Sequence, residues 1–342
     1  MKLIILKYLS KIYELVTNFR SWLYDKKLLE SYKINLPIIC IGNLTAGGNS
    51  KTPLSIYIYK LLKESGYQPI VLLRGYKGSE LGPIEVTKDL DVNAVGDEAV
   101  MMHHLYNLKV LVSRDRVAGA RFIESRKLAD VIILDDGLQH QRLIRDLNIL
   151  CINATTPDDL KEFSEGNLLP FGLFRENRAK GLKRVQLAVF INRSLSKAQN
   201  IDYFKLAGEM PEGVISYQGF LSNYKVITAW SDHEWIDYNQ KVVSICSIAN
   251  PEGFFKSVRD LGFNVCHEKS FPDHYQFSWQ DIKELLARFP DCKLICTTKD
   301  IVKINKEWSD NILVLKVELK IEPENAFQVQ ILKAINNSKS AC

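Results

Sequence analysis

Residues 37–64 are the stretch that most restricts the fold. PIICIG (Pro37–Gly42) is an apolar run fit for a buried strand, and NLTAGGNS after it is a glycine-rich turn. KTPLSIYIYKLLKE then reads as a helix, with Pro53 in the first turn, where a missing N–H costs nothing. A strand that feeds through such a turn into a helix opened by Lys-Thr is the placement of a phosphate-binding cradle. Backbone N–H groups of Thr45, Ala46, Gly47, Gly48, Asn49 and Ser50 would face phosphates at the helix's positive end. Lys51 would neutralise β/γ charge, and Thr52 would present a hydroxyl to Mg²⁺. The match to G-x-x-x-x-G-K-[ST] is imperfect, because Thr45 stands at the first glycine and Ser50 at the second. Glycine at the second place permits positive φ, so Ser50 is accommodated if its own φ stays negative.

The rest of the chain alternates apolar runs with helical patterns. That predicts an α/β protein with a P-loop NTPase-like, mainly parallel sheet flanked by helices. Strands are expected at PIVLLRGY (69–76), LKVLVS (108–113), DVIILDD (130–136), LNILCIN (147–153) and VQLAVFIN (185–192). SELGPIEV suggests a loop or hairpin, and GDEAVMMHHLY a helix with Asp97 and Glu98 at its positive end. The polar stretch RSLSKAQNIDYF puts a boundary near residues 193–205, after which the pattern restarts. The expected division is a helix over 1–34, a P-loop core over 35–200 and a smaller α/β lobe over 201–342 that closes over the site.

A cradle of this kind needs an acid at the tip of a neighbouring strand. DVIILDDGLQH supplies Asp135 and Asp136 after four apolar residues. One carboxylate can join a Mg²⁺ shell while its neighbour orients water or substrate. Without a role, the pair is a solvated turn at the end of a strand where open α/β sheets place ligands. Cradle and acids in this order point to phosphoryl chemistry.

The amino terminus carries a different signal. Ile5, Leu9, Ile12, Val16, Phe19 and Leu23 form one helical stripe, widened by Leu6, Tyr13 and Trp22. Lysines interrupt every apolar run, so none approaches the roughly 20 residues that span a bilayer. The broken apolar core without a small-residue cleavage site also argues against a secretory signal. Residues 1–34 hold seven Lys/Arg against three acids, most of the net +5 of the chain. A basic amphipathic helix suits the surface of an anionic membrane, and its alternative is a terminal helix packed on the core. The remainder is almost neutral, which argues against a nucleic-acid partner. Of seven scattered cysteines, most sit in apolar runs and read as reduced core thiols of a cytoplasmic protein. Cys292 and Cys296 lack the companions of a zinc set.

GNLTAGGNSKTP, RGY (74–76), GDE (96–98), RDR (114–116), DDGLQH (135–140), LLPFGLFRE (168–176) and FPDH (271–274) occur in this order. In these the chain resembles the tetraacyldisaccharide 4′-kinases, the lipid A 4′-kinases of Gram-negative bacteria, over nearly its whole length. The family shares threonine at the place of Thr45 but carries glycine at that of Ser50, which bears on nucleotide affinity. The resemblance implies transfer of the γ-phosphate of ATP to the 4′-hydroxyl of an acylated glucosamine disaccharide 1-phosphate, forming lipid IVA. It implies Mg²⁺ as cofactor and a peripheral site on the cytoplasmic face of the inner membrane, reached through residues 1–34. It places the proton acceptor on Asp97, supported by His274 with Asp273 beside it, a dyad that would keep the base near working pH. Asp135, Asp136 and Thr52 fall on the metal shell, with Glu98 a further candidate. Arg114 or Arg116 would clamp phosphate oxygens, Arg74 divides between a salt bridge and substrate phosphate, and His140 is a supporting group. His103, His104 and His267 read as structural.

Two other readings share parts of these signals. A membrane-associated ATPase or GTPase switch would use the same cradle, although TTKD (297–300) lacks the spacer of the guanine pattern [NT]-K-x-D. A non-catalytic nucleotide-binding scaffold would account for Ser50 but not for Asp97, Asp135, Asp136 and His274 together.

Overall fold

A computed structural model of the chain describes residues 2–47, 50–193, 208–231, 233–308 and 311–340. The core is a parallel stack of β1 (Ile38–Gly42), β2 (Pro69–Leu73), β4 (Val110–Val112), β5 (Val131–Asp135), β6 (Leu147–Asn153) and β7 (Leu187–Asn192). Strand β3 (Ile84–Glu85) closes one edge antiparallel to β4. Every residue of β1, β2 and β5 is buried, because helices cover both faces. Alternate side chains therefore feed two cores. Ile39, Ile41 and Ile133 meet Leu54, Ile58 and Leu62 of α2 (Lys51–Glu64). Ile38, Cys40 and Leu134 meet Val117, Ala120 and Ile123 of α5 (Arg116–Ser125).

β1 lies between β5 and β6, so the chain order reverses on its two sides. Ligands of open α/β sheets bind outside the carboxyl ends of strands at such a switch point. Here that point is the loop leaving β1 and the acids ending β5.

The same sheet continues into the second half. The long strands β8 (Ile215–Thr228) and β12 (Ile312–Glu322) pair antiparallel, and β8 joins the core beside β7. Beyond them come β11 (Lys293–Thr297), β9 (Lys241–Cys246) and β10 (Asn264–Ser270), for twelve strands in one sheet among the described residues. The expected boundary at 193–205 falls largely outside the described residues. Five of the cysteines are buried and Cys266 is exposed. It sits at the register shift between Val265 and His267, where the alternation of β10 breaks. Cys342 lies outside the described residues.

The terminal helix α1 (Lys2–Asp25) does not pack its apolar stripe on the core. Ile5, Leu9, Ile12, Val16 and Phe19 are 46–62% exposed, whereas Ser10 and Ser21 are buried. The helix is held by its polar face. Ser10 Oγ donates to the Leu168 carbonyl at 2.9 Å and Tyr13 OH to that of Arg175 at 2.9 Å. Asn177 Nδ2 donates to Glu14 Oε1 at 2.8 Å and Gln141 Nε2 to Ser21 Oγ at 3.1 Å. Burying one such apolar side chain stabilises by about 1.5–3 kcal/mol, so a stripe left in water is a large unspent driving force. No helix among the described residues is long and apolar enough to cross a membrane.

Candidate active site

The loop after β1 is braced by a second segment rather than by itself. Ala46 N–H donates to the Leu173 carbonyl and Arg175 N–H to that of Leu44, both at 2.7 Å. Gly47 takes φ +108°, a conformation that requires glycine. Gly48 and Asn49 lie outside the described residues. Ser50 takes φ +55°, against the expectation of a negative φ. The turn into α2 demands the left-handed region there, and serine is placed in it with its hydroxyl tied: Arg193 Nε donates to Ser50 Oγ at 2.8 Å. Asp136 (φ +50°) and His274 (φ +62°) share this backbone region. Left-handed non-glycine residues are uncommon and gather at functional sites, where surrounding structure enforces them.

Lys51 opens α2 and lies over the loop, its Nζ 3.3 Å from Asn43 Oδ1 and 3.7 Å from Asp136 Oδ1. Thr52 Oγ1 donates to Glu98 Oε1 at 3.2 Å. Across from them, Asp135 is buried at the end of β5 and accepts the Asp136 N–H at 2.9 Å. Burial, helped by the charge of Glu98 and opposed by Lys51, pushes its pKa up to about 7. Burial would raise Asp136 as well, but Lys51 and Arg175 outweigh it and hold that carboxyl below the usual range. Arg175 Nη1 reaches both Asp136 oxygens, at 3.0 and 3.1 Å. Two neighbouring acids are thus driven apart in proton affinity.

The opposite wall starts at α4 (Asp97–Tyr106). Gly96 precedes it at φ +89°, and a Cβ there would meet the Tyr76 carbonyl at 2.6 Å. Buried Asp97 pairs with His274, Oδ2 to Nδ1 at 2.7 Å, while its Oδ1 accepts the Glu98 N–H at 2.9 Å. Burial opposes ionisation of Asp97, but the hydrogen bond and charge of His274 outweigh it, so the pKa falls below the ordinary value. The same bond raises His274, against burial. The dyad therefore does not lift the base toward neutral pH as expected. It keeps Asp97 ionised and places the titration on the imidazole. Tyr76 covers that ring at 5.5 Å between centroids, and Asp273 stands 3.8 Å from its other nitrogen. Glu98 pairs with Lys299, Oε1 to Nζ at 2.5 Å.

Both walls border one cavity of about 810 Å³. Lys51, Asp97, Glu98, Asp135, Asp136 and His274 line it together with Arg74, Arg114, Arg116 and His140. Arg74 is exposed there, and Arg114 Nη2 donates to the Gly78 carbonyl at 3.0 Å. Arg116 is buried, with Nη2 3.5 Å from the Asp136 carbonyl. His140 is pushed down to about 4 by burial and by Arg116, Arg142 and Arg145 around it, so it is neutral at pH 7. Its Nε2 is buried without a partner among the described residues. His103 Nδ1 donates to the Leu108 carbonyl at 3.0 Å, outside this cavity.

The comparisons with known proteins decide the family. The model of the tetraacyldisaccharide-1-P 4′-kinases matches residues 2–336. The tetraacyldisaccharide 4′-kinase of Shewanella loihica is 32% identical over 97% of this chain and 91% of its own length. That of Elusimicrobium minutum is 32% identical over 94% and 88%. The chain belongs to the tetraacyldisaccharide 4′-kinase family. The crystal structure of an LpxK from Aquifex aeolicus in complex with ATP superposes with a TM-score of 0.79 at 28% identity, covering 98% of this chain and all of the other.

A tetraacyldisaccharide 4′-kinase is a phosphotransferase with an alcohol acceptor that uses ATP, and the cradle fits both nucleotide and Mg²⁺. The buried Asn43 Nδ2 has no partner among the described residues, so a donor stands ready beside Lys51. Thr52, Glu98, Asp135 and Asp136 offer hydroxyl and carboxylate oxygens, the hard donors Mg²⁺ takes. Among the described residues no three His, Cys, Asp or Glu converge as a complete metal cage.

Three cations that hold residues of the cavity or its loop went unassigned in the sequence. Arg175 lies in LLPFGLFRE, a segment that carried resemblance but no assigned role. Lys299 lies in TTKD, which was weighed only against the guanine pattern. Arg193 follows β7, and its one signal is a cation just past a strand's carboxyl tip.

Proposed function

We propose that this kinase passes the γ-phosphoryl group of ATP to the 4′-hydroxyl of an acylated glucosamine disaccharide 1-phosphate, with Asp97 as proton acceptor. The observation that carries this assignment is the Asp97–His274 pair facing the Lys51 cradle across one cavity. The bond between the γ-phosphorus and its bridging oxygen breaks as the bond to O4′ forms, and the hydroxyl proton moves to Asp97. A sugar hydroxyl has a high pKa, so a positioned carboxylate at that oxygen lowers the barrier. His274 fixes the carboxylate and shares the proton. Lys51 and the loop N–H groups receive the charge of the β- and γ-phosphates. Thr52, Asp135, Asp136 and Glu98 would hold Mg²⁺, which would supply positive charge against the charge that develops on the phosphates. Arg74, Arg114 and Arg116 offer cationic contacts to phosphate oxygens, and neutral His140 supports them.

Helix α1 gives the acceptor its route. Tyr13, Thr17, Arg20 and Ser21 of its polar face line the same cavity, while its apolar stripe points outward. A bilayer surface against that stripe would leave the acyl chains in the membrane and bring the sugar to Asp97. This arrangement supports peripheral attachment, placed on the cytoplasmic face because ATP is available there, and the nearly neutral remainder favours a partner other than nucleic acid. Residues 201–342 would act as a lobe that carries His274 to the core over 35–200. Transfer of radiolabel from [γ-³²P]ATP to the disaccharide lipid is expected for the wild type and not for Lys51→Ala; equal transfer would refute the cradle. Phe19→Glu should release the protein from anionic vesicles in flotation, and unchanged flotation would remove α1 from that role.

A further inference from the structure

The motif TTKD has a structural logic of its own. Thr297 caps the single turn α10 (Thr298–Ile301), donating from Oγ1 to Asp300 Oδ2 at 2.6 Å and accepting the Asp300 N–H at 3.2 Å. Asp300 is completely buried. Its Oδ1 accepts from the Ser247 N–H at 2.9 Å, the Ser247 hydroxyl at 2.8 Å and the Lys303 ammonium at 2.9 Å. Lys303 also donates to Ser247 Oγ. Both carboxylate oxygens are satisfied, and a fully paired buried network of this kind is rigid, since any departure strands a charge.

Two arms leave that network toward the site. The Ser247 carbonyl accepts the His274 N–H at 3.2 Å, which anchors the left-handed turn carrying the imidazole. One position before Asp300, Lys299 extends to Glu98 at 2.5 Å. Their targets, Asp97 and Glu98, are consecutive residues at the start of α4. A single buried support thus reaches two adjacent acids on the opposite wall, with His274 on one and Lys299 on the other. An isolated surface pair would contribute little. This one is half-buried on both sides, and Glu98 also accepts the Thr52 hydroxyl, so the contact runs on into the phosphate cradle.

We propose that Lys299 is a positioning residue of the phosphoryl transfer. Its grip on Glu98 is the second point, beside His274 on Asp97, by which the carboxy-terminal part sets the register of the α4 acids against the cradle. This rests on the roles given above to Asp97 and His274. The grip acts on geometry at the reacting centre, where a displacement of about 1 Å costs on the order of 100-fold in rate.

Steady-state kinetics with ATP and the disaccharide 1-phosphate in mixed micelles, on Lys299→Met, Lys299→Arg and His274→Ala, test it, each variant paired with thermal denaturation. Lys299→Met should lose roughly 30- to 100-fold in kcat, with both KM values within about threefold and a melting temperature near that of the wild type. Lys299→Arg, which keeps the charge, should recover most of that loss. Wild-type kcat in Lys299→Met would overturn the proposal. So would a large rise in KM for ATP at unchanged kcat, which would make Lys299 a nucleotide ligand. A kcat loss shared by the arginine variant and matched by a fallen melting temperature would reduce it to a folding contact. His274→Ala at wild-type rate would instead strike the underlying roles, so the two failures read differently.

Discussion

The two walls of the cavity are built from different materials. The nucleotide wall is one run of sequence, β1, loop and α2, whose donors are backbone N–H groups that every residue type but proline supplies. The acceptor wall is made of side chains gathered from far along the chain, Glu98 and Lys299 being 201 positions apart. A backbone wall can absorb changes of side chain provided the φ angles are met, and Ser50 takes the left-handed φ of the turn. A side-chain wall has no such tolerance, since each carboxylate or cation holds one specific contact. Thr52 joins the two walls through Glu98, and Lys51 reaches Asp136 at the tip of β5.

This contrast can be sharpened by substitution. Lys51→Ala should have the largest effect on the nucleotide wall, about 10³-fold in transfer, the scale for removing a preorganised charge donor. Arg175→Gln should cost less, about tenfold in kcat/KM, by freeing Asp136 from its two-oxygen partner; an unchanged value would detach Asp136 from the site. Smaller still is Ser50. Ser50→Gly relieves a left-handed serine, worth about 1–2 kcal/mol, but loses the bond from the Arg193 guanidinium, worth about 1.5–3 kcal/mol. Chemical denaturation should show a slight net loss for Ser50→Gly and a larger one for Ser50→Ala, which keeps the strain and loses the bond. A glycine variant more stable than wild type would mean that the strain outweighs the bond.

The smallest expected effect concerns pH. His274 is raised by its bond to Asp97, so its contribution is fully present below the unfolded value of about 6.5 and lost as pH rises through the higher folded value. The gap in melting temperature between wild type and His274→Ala should therefore be wider at pH 6 than at pH 9. A gap constant across that range would contradict the pairing.

How much of this was legible in the sequence follows from the same contrast. The strand–turn–helix over 37–64 and the acids ending β5 are local, and both were readable because strand burial and helix periodicity leave direct marks. The stripe on α1 was readable too, although only coordinates show that it faces away from the core. Ser50 could not be settled locally: its φ is imposed by the geometry of the turn, and its compensation comes from Arg193, 143 positions away. Arg175 and Lys299 carry no periodic or motif signal of their own, because their roles exist only once the LLPFGLFRE segment lies along the loop and the second half lies against α4. His274 was reached through family resemblance rather than from the local pattern of FPDH.

The most direct measurement is the pair of constants for Asp97→Asn: the rate of phosphoryl transfer to the disaccharide 1-phosphate, and the affinity for ATP measured separately by calorimetry. The substitution keeps the shape of the side chain and removes its capacity to take a proton. Transfer should fall by about 10²- to 10⁴-fold, the range for a positioned general base, with ATP affinity within a few-fold of wild type. Transfer at the wild-type rate, or a loss that tracks weakened ATP binding, would contradict the assignment of Asp97 as the group that accepts the acceptor's proton.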